Sequence, residues 1–260
     1  MKVISLTTDF GLRDWFVGTM KGVIARLAPE TRVIDLTHDL GPGEIHAAAF
    51  ALNAGYRYFP KKTIHVVVVD PGVGGPRRGL AVRTRDYTFV GPDNGVLSLA
   101  LKREDLREIR VLTEPDYFLR PVSRTFHGRD IFAPVAAHLS CGVPLRRLGP
   151  AVSDLTRLDW PEPSREPDGV SGEVVYVDRF GNGITNLPGE FAEGLRGGKC
   201  IVQSRRLRIC ALAEFYQAVP RNQGVAVVGS SGLVEIAVNG GSAQAQMGLR
   251  IGTRVRLRAG

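Results

Sequence analysis

Val66-Val67-Val68-Val69, four β-branched residues in a row within the segment Thr63 to Val69, constrain this chain more than any other feature. A strand with one buried face alternates apolar and polar side chains. An unbroken apolar run must be covered on both faces, as in the parallel sheets of α/β proteins. The neighbouring segments supply further strands and the covers. Val3 to Thr7 and Val33 to Leu36 read as strands. Phe16 to Leu27 sets Phe16, Met20, Val23, Ile24 and Leu27 on one side of a helix. Glu44 to Ala54 is Ala-rich and helical, Leu80 to Arg83 and Tyr87 to Val90 form a hairpin pair, and Asn94 to Leu101 starts another helix. Ile131 to Leu139 is helical, with Pro134 in its first turn. This alternation predicts an α/β domain built on a central, mainly parallel sheet.

The texture changes at Trp160 to Gly169, which carries three prolines and no apolar periodicity. Beyond it, Gly172 to Val177, Lys199 to Gln203, Arg206 to Ile209, Gly224 to Val228, Val234 to Val238 and Thr253 to Leu257 are short strands separated by Gly and polar turns. Such spacing suits a small all-β barrel. We therefore expect an N-terminal α/β domain over residues 1–160, a linker over 161–170 and a smaller β-barrel domain over 171–260.

Composition removes several function classes. Hydrophobic residues make up 43% and charged residues 23%, ordinary for a globular protein. No run approaches the roughly 18 apolar residues of a membrane span. The opening MKVISLTTDFGLRD does not read as a secretory leader, so a cytoplasmic protein without a membrane partner is expected. The net charge is +8, but the arginines are scattered or in pairs (Arg77-Arg78, Arg146-Arg147, Arg205-Arg206) and no basic run is interleaved with aromatics. Nucleic-acid binding is not expected. Cys141, Cys200 and Cys210 make an odd set without CxxC spacing and read as three buried thiols, not a disulfide or zinc framework.

Ligands of open α/β sheets bind beyond the carboxyl ends of the strands. Three strands here run into polar clusters: Thr7-Thr8-Asp9-Phe10-Gly11 with Asp14 close behind, Asp70-Pro71-Gly72-Val73-Gly74-Gly75-Pro76-Arg77, and Pro92-Asp93-Asn94-Gly95. Each has a structural reading as well, since Asp9 or Asp93 suits a cap or turn. Three at one sheet edge point to a site. The Asp70 to Arg77 loop is neither a P-loop nor a dinucleotide fingerprint. His127, in Ser123-Arg124-Thr125-Phe126-His127-Gly128-Arg129-Asp130, has a functional setting, whereas His38, His46, His65 and His138 sit in helix or strand patterns and read as structural. There is no HExxH or DxD signature with paired histidines, and no metal site is expected. In the second half, Asp178 to Asn186 and Gly229-Ser230-Ser231-Gly232 serve as plain turns or as a polar rim for a purine nucleoside beside Phe180.

Taken in order, TTDFG, DPGVGGPRR, GPDNG, SRTFHGRD, DRFGNGITN and SSGLVEIAVNGG resemble the S-adenosyl-L-methionine hydroxide adenosyltransferases, relatives of the fluorinases and chlorinases. The resemblance spans nearly the whole chain. It implies an α/β domain followed by a β-barrel, a homotrimer, and substrate held between one subunit's N-terminal domain and its neighbour's C-terminal domain. It implies that Asp70, Arg77 and His127 handle the attacking water and that Asp9 holds the ribose hydroxyls. Asp14 and Asn94 match polar positions near the substrate. Asp178, Ser230 and Ser231 match the methionine end, and Phe180, Asn182 and Asn239 the adenine end. The halogenases carry an aromatic residue in place of Asp70 and an extra N-terminal surface loop that this chain lacks. Both departures point from halide toward water.

The implied reaction is hydrolysis of S-adenosyl-L-methionine to adenosine and methionine, by water attack on the ribose 5′ carbon. The sulfonium is already a good leaving group, so no metal or organic cofactor is required. Two other readings stand beside it: a metal-dependent phosphohydrolase with Asp9, Asp14, Asp70 and His127 as ligands, and a nucleoside-binding protein without turnover.

Overall fold

A computed structural model describes residues 2–193, 198–204 and 207–258. The chain divides into two compact units, Met1–Leu158 and Asp159–Gly260. In the first, the order is β1 (Lys2–Thr8), α1 (Phe16–Leu27), β2 (Thr31–Thr37), α2 (Ile45–Gly55), β3 (Ile64–Val68), β4 (Gly79–Thr84), β5 (Thr88–Pro92), α3 (Ser98–Leu101), β6 (Leu106–Val111) and α4 (Ala133–Ser140).

These strands form one sheet in the order β2-β1-β3-β5-β4-β6. β1 runs parallel to β2 and β3, and β3 runs parallel to β5. β4 is antiparallel to both β5 and β6. The sheet is thus mixed, not mainly parallel as the alternation suggested. The reason is local: only a few residues join β4 to β5, and so short a link permits only an antiparallel pair. β6 then adds antiparallel at the edge.

Alternate residues of β1 and β3 serve opposite faces. Ile4, Leu6, Val66 and Val68 pack with Met20 and Ile24 of α1 and Ala133 and Ala136 of α4. On the other face the ring of Tyr56, just past α2, meets His65 and Phe89 edge-on. Burial of both faces explains the valine run.

Helical structure around Pro134 starts earlier than the pattern indicates. A wide π-type turn, Gly128–Phe132, leads into α4, and Pro134 stays in the first α turn where its missing N–H costs nothing. The expected helix at Asn94 forms only from Ser98, because the Asn94 side chain accepts from the Val96 N–H and makes a turn instead.

The second unit contains β7 (Ser164–Glu166), β8 (Gly169–Val177), β9 (Gly183–Pro188), α5 (Glu190–Glu193), β10 (Lys199–Gln203), β11 (Leu207–Leu212), β12 (Gly224–Val228), β13 (Leu233–Val238), α6 (Ala243–Met247) and β14 (Arg254–Arg258). The strand order β14-β10-β11-β12-β13-β9-β8 closes through β14–β8 pairing into a seven-stranded barrel, with β7 added beside β8. Two-residue alternation fills its interior with Val174, Leu187, Val202, Val234, Ile236 and Leu257. The expected strand from Arg206 is described only from Leu207, and Arg205 and Arg206 lie outside the described residues.

Cys200 and Cys210 are buried cross-strand partners, and burial raises both thiol pKa values. Cys141 is exposed, contrary to expectation, because it follows the last turn of α4 at the surface. Among the described residues no helix is long and apolar enough to cross a membrane.

Candidate active site

The parallel register brings the carboxyl ends of β1 and β3 together, with Thr8 opposite Val68. Asp9 and Asp70 follow those ends, and both line one cavity of about 490 Å³. Its walls include Phe10, Phe16, Pro42, Gly43, Val73, Phe126 and His127.

Asp70 is held by the guanidinium of Arg77, whose Nε lies 3.0 Å from Oδ1 and 2.9 Å from Oδ2. Nη2 of Arg77 also bonds Oδ2 and reaches His127 Nδ1 at 2.6 Å. An arginine only donates, so Nδ1 of His127 accepts and the neutral ring carries its proton on Nε2. The three residues expected from sequence therefore meet at one arginine. Asp70 and His127 face the cavity while Arg77 stands behind them. The His127 pKa is lowered, first by burial and next by the Arg77 charge, although Asp70, Asp130 and a Ser123 backbone contact pull the other way.

Two local features hold this triangle. Gly74 has φ +76°, and a Cβ there would lie 2.2 Å from the Arg124 carbonyl oxygen, so only glycine lets the Asp70 loop pack against the His127 loop. The buried carboxylate of Asp130 accepts from Arg129 Nε at 2.6 Å and from the Ser123 N–H at 2.9 Å, which pins the segment carrying His127. Burial raises the Asp130 pKa, but the Arg129 and Ser123 bonds outweigh it and the net shift is downward.

Asp9 Oδ2 accepts from the Gly43 N–H at 2.7 Å. Asp14 is exposed in the segment before α1 and is not part of the cavity lining. Asn94 is tied to backbone at both ends of its amide, donating to the Val69 carbonyl at 2.9 Å and accepting from Val96 N–H at 3.2 Å. It joins the exits of β3 and β5. Asp93 binds Arg78 and the Thr156 N–H, a structural role.

In the barrel, Asp178 organises its own loop: Oδ1 accepts from the N–H groups of Phe180 and Asn182, and Oδ2 from the Asn182 amide. Phe180 is 76% exposed. Ser230 and Ser231 precede β13 and Asn239 follows it, so they occupy opposite ends of one six-residue strand, itself about 20 Å long at 3.3 Å per residue. Ser230 is exposed, the Ser231 hydroxyl is buried without a partner among the described residues, and Asn239 donates to the Val219 carbonyl. A polar depression of about 400 Å³ on this unit, lined by Glu166, Glu173, Arg254 and Arg256, contains none of the expected substrate residues.

Sequence reading missed the Phe10, Phe16 and Phe126 wall, whose rings meet at 5.1–5.7 Å, and the Gly43 N–H. His38 follows the carboxyl end of β2, and the strand-end rule that singled out Asp9 and Asp70 applies equally to it.

Among the described residues no group of three or more His, Cys, Asp or Glu is arranged to hold a metal ion. The carboxylate of Asp70 is occupied by a guanidinium where the phosphohydrolase reading requires a cation.

The chain matches known proteins along its whole length. The family model described as SAM hydroxide adenosyltransferase N-terminal domain matches residues 4–149, and the corresponding C-terminal domain matches residues 172–256. An (R)-S-adenosyl-L-methionine hydrolase of Salinispora tropica is 43% identical over 260 residues, covering 99% of this chain and 98% of that protein. A fluorinase of Nocardia brasiliensis is 24% identical over 295 residues, covering 99% and 97%. The crystal structure of an uncharacterized conserved protein from Thermotoga maritima shares 36% identity at a TM-score of 0.93, covering 98% of this chain and 99% of that one.

Proposed function

Because the chain belongs to the SAM hydroxide adenosyltransferase family, we infer that it hydrolyses S-adenosyl-L-methionine to adenosine and L-methionine. The observation that carries the mechanism is the Asp70–Arg77–His127 triangle on a cavity wide enough for a nucleoside.

Water attacks the ribose 5′ carbon in line with sulfur. The new carbon–oxygen bond forms as the carbon–sulfur bond breaks, and its electron pair neutralises the sulfonium to a thioether. The water proton passes to Asp70. His127 is not the acceptor in this arrangement, because its Nδ1 is already engaged by Arg77 and its Nε2 bears the proton. His127 orients the water, and Arg77 fixes both partners without touching it. Orientation of this kind contributes up to about 7–11 kcal/mol when the bound geometry is near attack. Asp9 holds the ribose hydroxyls, with Asp14 and Asn94 nearby. Asp178, Ser230 and Ser231 take the methionine end and Phe180, Asn182 and Asn239 the adenine end.

The enzyme works as a homotrimer in which a neighbour's C-terminal domain completes each site. The large apolar side chains left exposed in each unit, Leu12 and Trp15 in the first and Phe180 in the second, support that assembly. The proposal places it in the cytoplasm, without nucleic-acid or membrane partners, and divides it into domains at 1–160 and 171–260.

Turnover in ¹⁸O-labelled water tests the reaction. The label is expected in the adenosine 5′ hydroxyl. Unlabelled adenosine, or no release over many cycles, refutes the assignment. Light scattering that returns a monomer mass refutes the trimer.

A further inference from the structure

We propose that His38 is a positioning residue for Asp9, and so for recognition of the substrate's ribose hydroxyls; this rests on the hydrolase reading above. His38 is 4% exposed and lies outside the Asp70–Arg77–His127 triangle. Its main-chain oxygen accepts from the Gly11 N–H at 2.8 Å. Its ring Nδ1 lies 2.8 Å from the Thr8 hydroxyl, and that hydroxyl also accepts the Phe10 N–H at 3.2 Å. Thr8, just before Asp9, is therefore tied directly to the imidazole, and Phe10, just after it, only through the Thr8 hydroxyl.

The far side of the ring faces a carboxylate. Nε2 stands 3.1 Å from Asp35 Oδ1, close but out of line for a hydrogen bond, and Asp35 Oδ2 takes Lys21 Nζ at 2.6 Å. Burial raises the Asp35 pKa, yet the Lys21 and His38 contacts outweigh it and leave it lowered. A chain of contacts thus runs from the α1 surface through Asp35 and His38 to the loop carrying Asp9. The same loop pair closes again where Asp9 Oδ2 accepts the Gly43 N–H, five residues beyond His38. Asp9 lines the cavity, and its Oδ2 is the oxygen that takes the Gly43 N–H. A misplacement near 1 Å in such a group is enough to lose a charge-assisted hydrogen bond.

The ring cannot be replaced by packing alone. Asparagine places a polar atom where Nδ1 sits, so it restores the Thr8 contact, whereas alanine restores nothing. Thr8→Val removes the hydroxyl at nearly constant volume and leaves the ring in place.

The test measures kcat and KM for S-adenosyl-L-methionine and for its 2′-deoxyribose analogue, with wild type, His38→Ala, His38→Asn and Thr8→Val. Wild type is expected to prefer the ribose substrate by roughly 10- to 100-fold in kcat/KM, the range of a hydrogen bond to a charged group. His38→Ala and Thr8→Val are expected to lose about tenfold of that preference, through KM with kcat nearly retained. His38→Asn is expected to recover it. If His38→Ala does not fold, Thr8→Val carries the measurement. Undiminished preference in the folded variants overturns the proposal, as does equal use of both substrates by wild type. Wild type that fails to hydrolyse S-adenosyl-L-methionine at all refutes the functional reading instead.

Discussion

Arg77→Lys separates charge from geometry at the proposed centre. The guanidinium makes contacts from Nε and Nη2 to both oxygens of Asp70 and a further one from Nη2 to His127 Nδ1. Its carbon also lies 5.4 Å from the Phe132 ring centroid, where a planar cation stacks well. Lysine keeps the positive charge but offers one compact ammonium, which serves Asp70 or His127 and not both in the fork geometry. At least two charge-assisted bonds are lost in a region where Asp70 is only 4% and Arg77 13% exposed. Each is worth about 1.5–3 kcal/mol in such a setting. If one ammonium bond is regained, the net loss is at least one such bond, about 1.5–3 kcal/mol, or roughly 10- to 150-fold in rate. The loss is expected in kcat, since Arg77 does not line the cavity. Adenosine release followed by chromatography gives kcat and KM, and calorimetry gives the binding constant. A variant within threefold of wild-type kcat, or one whose defect lies wholly in KM, refutes the idea that the arginine builds the water site.

Asp70→Asn removes the proton acceptor while keeping shape, and kcat is expected to fall by about 10²–10⁴ with substrate binding retained in calorimetry. Activity close to wild type would place the base elsewhere. Burial and Arg77 hold His127 below the ordinary imidazole value, so the acid limb of kcat/KM is expected below pH 6.5; a limb at or above it contradicts an accepting Nδ1. His65, buried among the rings of Tyr56, Phe59, Tyr87 and Phe89 with Nδ1 on the Ser5 hydroxyl, has its pKa pushed down to about 3 by burial. The unfolded chain takes up its proton near 6.5 and the folded chain does not, so this contribution is complete above pH 6.5 and disappears as pH falls toward 3. At about 1.4 kcal/mol per pH unit it reaches roughly 5 kcal/mol over the full window, of which denaturation at pH 7 and pH 4 is expected to show about 3.5 kcal/mol, and His65→Asn is expected to flatten the dependence.

Most of the scaffold was legible wherever burial imposed a period. Phe16 to Leu27 coincides with α1, since its apolar stripe covers Ile4, Leu6 and Val66. β6 was missed because it is an edge strand with charged Arg107, Glu108 and Arg110 among its six residues, a pattern with no buried periodicity to betray it. β9 was misread as a polar loop. Its Thr185 and Asn186 resemble ligand groups in sequence but are engaged within the unit, Thr185 by the Val234 carbonyl and Asn186 by the Glu173 N–H and the Pro161 carbonyl. Asn94 is similar. A polar side chain at a strand end states that a hydrogen bond is needed and not which partner takes it, so composition flagged Asp70 and Asn94 alike. Only long-range pairing distinguishes them.

That distinction bears on why the nucleophile is prepared by an ion pair. The substrate arrives as a cation, and an unpaired arginine on the cavity would repel it. Here the Arg77 charge is balanced by Asp70 before substrate enters, and the guanidinium stands behind the wall. On the proposed reading the surfaces that meet the sulfonium are a carboxylate, a neutral imidazole and the rings of Phe10, Phe16 and Phe126, whose π faces favour positive charge. As the carbon–sulfur bond breaks, the cation on sulfur vanishes while Asp70 gains the water proton. Arg77 then loses its partner's charge at the moment the substrate loses its own, so the net charge at the proposed centre stays at one positive unit from the bound substrate to the products. A chain with lysine or a metal ion in place of the fork would keep the charge but forfeit the hold on His127, and water would have one fixed neighbour instead of two.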